Sequence, residues 1–393
     1  MEDWKEYRLD ELYVFGNGLS KGSKYFGYGH PFVSFKTVFN NYFLPEELSD
    51  YVDSDEKEQT KCSVQKSDVL LTRTSETVNE LGYSCVALRD YPKATFNGFC
   101  KRMRPITEGI IHDLYAGYYF RSSHFRNQVC SMSNMVTRAS LSNEMLGRLT
   151  IKLPSYKTQT QIGELLFSID RKIALNRQIN DNLEQQASNL FQDWLNNCEN
   201  SIMLRELTDN VLDYTPNTHE YVYLLNSSDV TEGQFTVLPL TPNINLKGQF
   251  KKRFKKGDIL YSEIRPRNRH YAYCYFDADK YIASTRLIVL RAKPEMLTSS
   301  ILLYQYLMLN NVFEEFTLKT ESRSGTFPQG NYEDLSSIKV PYGASQEKIV
   351  KALESIYKQL WINLEENERL EALRDSLLPK LMSGELKINE IDC

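Results

Sequence analysis

The feature that most constrains this chain is an internal repeat. Residues 151 to 183 read IKLPSYKTQTQIGELLFSIDRKIALNRQINDNL, and residues 338 to 370 read IKVPYGASQEKIVKALESIYKQLWINLEENERL. A constant shift of 187 (338 − 151) superposes Ile151 on Ile338, Pro154 on Pro341, Gln159 on Gln346, Ile162 on Ile349 and Leu183 on Leu370. Upstream, Lys66-Ser67-Asp68-Val69-Leu70 matches Lys256-Gly257-Asp258-Ile259-Leu260 at a shift of 190 (256 − 66). A repeat of this length is one supersecondary unit used twice, and it decides the architecture before local structure is read. The 393 residues record a duplication and not two unrelated domains.

Each copy ends in a segment with alternating four- and three-residue spacing of apolar positions, the mark of a long helix with a coiled-coil seam. In the first copy the seam is Ile162, Leu166, Ile169, Ile173, Asn176, Asn180, Leu183, Ala187, Leu190 and Trp194. In the second it is Ile349, Leu353, Ile356, Leu360, Asn363, Asn367, Leu370, Arg374, Leu377 and Leu381. Thr158 and Gln161 have capping-box spacing, and Pro379 is expected to stop or kink the second helix before Leu381. The helices should run for roughly 30 to 40 residues, about 45 to 60 Å at the usual rise. An asparagine pair recurs near the middle of both seams. Either direction of pairing matches Asn with Asn; the short path from the first helix into the second copy favours antiparallel helices about a pseudo-twofold axis, with the asparagines fixing register.

The rest of each copy reads as an α+β globular unit. Short alternating runs (69 to 72, 83 to 88, 258 to 264, 272 to 276, 286 to 291) predict strands, and one helix is expected in each unit, at 109 to 127 and at 297 to 316. Residues 46 to 58, with seven acids against Lys57, read as a solvated acidic insertion.

Composition matters here mainly for what it hides. With 47 Lys+Arg against 51 Asp+Glu the formal charge is −4, so any basic site must be local. One is present: residues 247 to 270 carry nine Lys/Arg and only Asp258 and Glu263 as acids. There Arg265, Arg267 and Arg269, interleaved with Pro266 and Asn268, supply guanidinium forks and an amide suited to base edges, while Lys252 and Arg253 suit phosphates. A solvated loop serving solubility is the plain alternative. The first copy offers Arg73 and Thr74 after its Asp68-Val69-Leu70 strand, Arg138 and Ser140 in the loop before its exit strand, and Lys21 and Lys24 in a Gly-rich aromatic loop. Arg323 and Thr326 occupy the matching loop of the second copy. Lys101-Arg102-Met103-Arg104 reads equally well as phosphate-facing or as a strand rim.

Catalytic readings are weak. Gly16-x-Gly18-x-x-x-Gly22-Ser23-Lys24 lacks the order of a phosphate-cradling loop. Asp258 and Glu263 faintly resemble the carboxylate pair of a metal-dependent nuclease, but Arg73 stands in place of Glu263 in the first copy. Seven scattered cysteines, none in a C-x-x-C pair, and five isolated histidines lead us to expect reduced thiols, no structural zinc and a soluble cytoplasmic protein. A charged N-terminus and short apolar runs argue against a signal peptide or a membrane span.

Leu373-Arg374-Asp375-Ser376-Leu377-Leu378-Pro379-Lys380-Leu381-Met382-Ser383-Gly384-Glu385-Leu386, the Ile338 to Gln346 entry into a helix, Lys256-Gly257-Asp258-Ile259-Leu260 and Gly29-x-Pro31-Phe32-Val33 together resemble the specificity subunits of prokaryotic type I restriction-modification systems. The resemblance covers essentially the whole chain; the first helix departs from it, ending Leu190-Phe191-Gln192-Asp193-Trp194. It implies target-recognition domains at 1–155 and 198–341, separated by conserved helical spacers at 156–197 and, with the C-terminal tail, 342–393. It also implies that each domain reads one half of a split asymmetric DNA sequence. Two methyltransferase subunits would dock on the helices, and restriction/translocase subunits would join them. S-adenosylmethionine, Mg2+ and ATP would then belong to the partners, leaving this chain non-catalytic. The rival readings are a nuclease using Asp258 and Glu263, or a coiled-coil scaffold without DNA specificity.

Overall fold

The duplication read from the sequence reappears as one sheet built twice. A computed structural model describes residues 4–75, 80–133, 139–293, 299–322, 328–343 and 346–388. It divides into two units, 1–175 with 366–393, and 176–365. In the first unit a four-stranded antiparallel sheet has the order Tyr13–Asn17, Cys100–Pro105, Val69–Thr72, Ser84–Val86. In the second the order is Thr208–Asn210, Leu287–Ala292, Ile259–Ser262, Tyr271–Tyr273. Register is shared as well: Val69 lies opposite Met103 and Val86, and Ile259 opposite Leu290 and Tyr273.

The central strand of each sheet is apolar on both faces because each face meets a core. Val69 and Leu71 point into the core that the helices of unit one complete, whereas Leu70 joins a second core with Phe32, Val52 and Phe96. Ile259 and Tyr261 likewise face the helices of unit two, and Leu260 faces the opposite core with Val230 and Val289. Period-two alternation thus sorts side chains between two buried layers. The opposite core is covered in unit one by Phe26–Val33, Asp50–Val52 and Thr95–Phe96, and in unit two by Tyr221–Leu225, Leu240–Pro242, Phe250–Lys252 and Tyr281–Ser284. The acidic segment therefore contributes a strand: its charged side chains are largely exposed, while Leu48 and Val52 are buried.

An aspartate tethers the central strand in both units. The Asp68 carboxylate accepts from Arg104 Nε at 2.7 Å and Nη2 at 2.6 Å, and the Asp258 carboxylate accepts from Arg291 Nε at 2.7 Å and Nη2 at 2.8 Å. Both carboxylates are inaccessible, and each also accepts a backbone N–H, from Gln65 or Lys255. The repeated Asp is a bidentate ion-pair partner.

Each single helix expected beside the sheet is two. Asp113–Tyr119 and Ser123–Ser133 are separated at Ser122, whose hydroxyl accepts the Phe125 N–H. Ser300–Met308 and Asn310–Glu321 are separated at Leu309, which is extended (φ −62°, ψ 133°).

The long helices span Tyr156–Asn196 and Gln346–Ser383. They run antiparallel in both units. In unit one Asp170 pairs with Arg374 at 2.7 Å and Lys172 with Glu366 at 3.3 Å, so rising numbers on one helix meet falling numbers on the other. In unit two Asn363 Nδ2 donates to Asn180 Oδ1 at 2.8 Å, and Asn180 Nδ2 donates to the Leu360 carbonyl at 3.2 Å. Ile162, Ile169, Ile173, Asn176, Asn180, Ile349, Leu360, Asn363 and Asn367 are buried, and Leu183, Ile356 and Leu370 are partly buried.

Three expectations about these helices are corrected. The N-terminal cap is Ser155, whose hydroxyl accepts the Thr158 N–H, and not a Thr158–Gln161 box. Leu190 is 43% exposed and Phe191 fills the seam against Tyr306 and Trp194. Pro379 lies inside the second helix, which continues to Ser383. Near a C-terminus proline forfeits one helical hydrogen bond, and burial of Leu381 and Met382 in the core of unit one outweighs that loss.

Candidate nucleic-acid interface

At one end of the sheet in unit one, the ends of Tyr13–Asn17 and Val69–Thr72 meet the start of Cys100–Pro105. Lys101 is 5% exposed; its ammonium donates to Asn17 Oδ1 at 2.6 Å and to Asn143 Oδ1. Arg73 Nη1 reaches the same Asn17 oxygen at 3.4 Å, and Arg73 Nε is buried without a partner. Among the described residues neither cation meets a carboxylate. Burial first, and then the Arg73 charge, push the Lys101 ammonium below its ordinary pKa. The two cations share the Asn17 oxygen; Lys101 is turned into the protein, and Arg73, partly exposed, is the one able to meet a phosphate.

The alternating strand explains the rest of the Lys101–Arg104 run. Arg102 donates to the Ser63 carbonyl at 2.6 Å and Arg104 holds Asp68, so both guanidiniums serve the fold. Thr74 pairs with Ser140 in the short ladder of Thr74–Ser75 and Ala139–Ser140. Lys21 is bound to Glu58 at 2.7 Å and to the Asp53 carbonyl at 2.6 Å, with the hydrogen bond to Glu58 raising its pKa, so the acidic segment neutralises it. Lys24 lies over the Tyr25 ring at 5.0 Å. Arg138, Arg323 and Thr326 lie outside the described residues.

In unit two, Pro266–Asn268 forms one tight turn between Arg265 (φ 46°) and Arg269 (φ 51°). Both arginines adopt the left-handed conformation that non-glycine residues rarely hold, so the loop is fixed by its surroundings. Arg265 N–H donates to the Pro328 carbonyl at 3.0 Å and Arg269 N–H to the Pro266 carbonyl at 2.8 Å. The guanidiniums diverge. Arg267 makes a fork to Glu321 at 2.7 and 3.0 Å, and Arg269 sits 4.5 Å over the Phe313 ring while donating to Asn310 at 2.9 Å. Arg265 and Asn268 are exposed. Arg253 donates to the Asp279 carbonyl at 3.0 Å.

Lys252 requires a correction. It is 3% exposed and its ammonium donates to the Leu287 carbonyl at 2.6 Å, so it is turned into the protein and not towards a phosphate. Glu263, beside it, is partly buried; burial raises its pKa against the opposing pull of Lys252 and Arg286. Asp258 has both oxygens committed to Arg291, and no cluster of three or more His, Cys, Asp or Glu able to hold a metal occurs among the described residues. No described helix is long and apolar enough to cross a membrane.

Sequence reasoning missed Phe99 and Arg286, exposed residues beside these clusters. Neither lies in a basic run or motif, and only the sheet register brings them into view.

A four-stranded sheet built twice, with long antiparallel helices and local positive charge at its loop ends, defines a duplicated α+β protein. The family model for the type I restriction modification DNA specificity domain matches residues 1–185 and 226–372, and the chain belongs to that family. It is 34% identical over 163 residues to the HindI type I restriction enzyme specificity subunit of Haemophilus influenzae, covering 41% of this chain and 35% of that protein. It is 24% identical over 204 residues to the MjaIX specificity subunit of Methanocaldococcus jannaschii, covering 49% and 44%. The matches therefore span less than half the length of these relatives. In fold, the chain is similar to the type I restriction-modification S subunit from M. genitalium (TM-score 0.64, 16% identity, 97% of this chain and 96% of that one).

Proposed function

We propose that this chain is the DNA-reading subunit of a type I restriction-modification complex, in which residues 1–155 and 198–341 each read one half of a bipartite, asymmetric target. The observation that carries the reading is the doubled four-stranded sheet, identical in order and register, with unlike side chains at its ends. Equivalent scaffolds would present equivalent loops to two half-sites, and unlike loops would make the half-sites differ. Helical spacers 156–197 and 342–393 would dock two methyltransferase subunits, and restriction/translocase subunits would complete the assembly. Adenine methylation needs a base flipped out of the stack into a partner enzyme. S-adenosylmethionine, Mg2+ and ATP accordingly belong to those partners, and the chain itself performs no covalent step in a prokaryotic cytoplasm.

The buried Asp258–Arg291 pair gives no support to a nuclease. Genome-wide mapping of methylated adenine with and without this chain tests the proposal. The expected result is a single bipartite motif that disappears on deletion; an unchanged methylation pattern overturns it.

A further inference from the structure

Register across the two sheets identifies a pair of residues that sequence alignment does not. Thr72 lies opposite Cys100 and Ser262 opposite Leu287, so the residues just beyond them, Arg73 and Phe99 in unit one and Glu263 and Arg286 in unit two, occupy the same place. The backbone repeats the same bond there: Arg73 N–H donates to the Phe99 carbonyl at 2.9 Å, and Glu263 N–H donates to the Arg286 carbonyl at 3.0 Å. The approach to each position is also the same. Phe99 N–H donates to Asn97 Oδ1 at 2.8 Å, and Arg286 N–H to Ser284 Oγ at 3.3 Å, each a side-chain turn two residues back.

These turns are held firmly. In unit one Gly98 N–H donates to the Leu19 carbonyl at 2.8 Å, and a Cβ on Gly98 would stand 2.2 Å from Ser20 Oγ. In unit two Thr285 N–H donates to the Gln249 carbonyl at 2.9 Å. Both turns therefore present one side chain to solvent from a fixed backbone. Phe99 is 60% exposed and Arg286 is exposed, so both side chains are open to a partner.

We infer that Phe99 and Arg286 are equivalent base-reading positions, one for each half of the DNA target. The inference rests on the proposed DNA-reading function. The surroundings suit the two side chains to different bases. Beside Phe99 stands Arg73, a partly exposed cation placed to hold a phosphate while the ring meets a thymine methyl or wedges against a base step. Arg286 carries a fork that matches the O6 and N7 acceptors of guanine, and the Glu263 carboxylate beside it can accept from a cytosine N4 amine. One backbone position filled by two unlike side chains gives one scaffold two specificities.

The test uses the full chain assembled with its methyltransferase subunits, with methylated adenines mapped for wild type, Phe99→Ala and Arg286→Ala. Phe99→Ala should relax one half of the motif and leave the other intact, and Arg286→Ala should do the reverse. Discrimination at the affected base pair should fall by about ten- to a hundredfold. Phe99→Leu and Arg286→Gln carry the same test if an alanine chain fails to assemble. If wild type writes a bipartite motif and the variants write it unchanged, or both variants alter the same half, the assignment is overturned while the DNA-reading function stands. If the wild-type assembly writes no bipartite motif, that function itself fails.

Discussion

Asn363 donates its side-chain N–H to Asn180 Oδ1 at 2.8 Å, joining the two long helices at a position that is 5% exposed on one and 7% on the other. A buried amide pair specifies register better than it stabilises, because each amide must be desolvated before it bonds. Asn363→Leu should leave the Asn180 oxygen unpaired and destabilise the chain by about 1–3 kcal/mol. The Asn180→Leu/Asn363→Leu double variant should recover most of that loss while loosening helix register. Denaturant unfolding of wild type, both single variants and the double variant measures the coupling; strict additivity would show that the pair does not act as a unit.

A second prediction concerns the tethered strand. Asp258→Ala leaves the Arg291 guanidinium facing a buried void, and because Arg291 is about one-third exposed the loss should be about 3 kcal/mol, at the low end for a broken buried pair. Asp68→Ala should act similarly through Arg104. The check is the unfolding midpoint of each variant. Lost activity in an assembly carrying Asp258→Ala would therefore report a weakened sheet and not a missing metal ligand. Asp258→Ala with wild-type stability would contradict the pairing.

Much of this was legible in the chain, and the division has a physical cause. Helical seams announce themselves by local period, so Ile162 through Leu183 and Ile349 through Leu370 could be read directly, as could the recurrent asparagines. The Asp68 and Asp258 strands were legible because a strand buried on both faces is a continuous apolar run. Partners distant in sequence were not. Nothing near Lys252 indicates that its ammonium serves the Leu287 carbonyl, and nothing near Arg267 points to Glu321, 54 residues away. Phe99 and Arg286 escaped for a deeper reason: their equivalence resides in backbone register, and their side chains have nothing in common.

Lys252 yields a prediction about pH. Burial lowers its pKa, against an opposing pull from Glu263, relative to the ordinary lysine value of 10.5. Since the unfolded chain binds the proton more tightly, the charged lysine costs stability at neutral pH, and stability should rise as pH climbs through the depressed folded value towards 10.5. Lys252→Met should remove this contribution, so the unfolding free energy of wild type should rise relative to that of the variant from neutral to alkaline pH. The variant should also bind DNA with wild-type affinity. A large loss of affinity would instead place the ammonium at a phosphate.

Arg267 is an arginine whose charge is already spent on Glu321, through two hydrogen bonds at 2.7 and 3.0 Å on the protein surface. Glu321 has its pKa lowered by the hydrogen bond from Arg267, and Arg267 has its own raised by the same bond. An exposed pair of this kind contributes little to stability, so its worth is better sought in DNA binding. Glu321→Gln should leave the unfolding midpoint nearly unchanged while releasing one guanidinium and removing one repulsive carboxylate beside the backbone. The expected outcome is tighter binding to any duplex at low salt, with the slope of log K against log salt steeper by about one. Selectivity for the cognate site should stay nearly unchanged, because the gain is common to all sequences. Arg267→Ala should lack that gain in either the wild-type or the Glu321→Gln background. If Glu321→Gln leaves affinity and salt slope unaltered in titrations from low to physiological salt, Arg267 does not face DNA and its fork serves only to hold the Pro266–Asn268 turn.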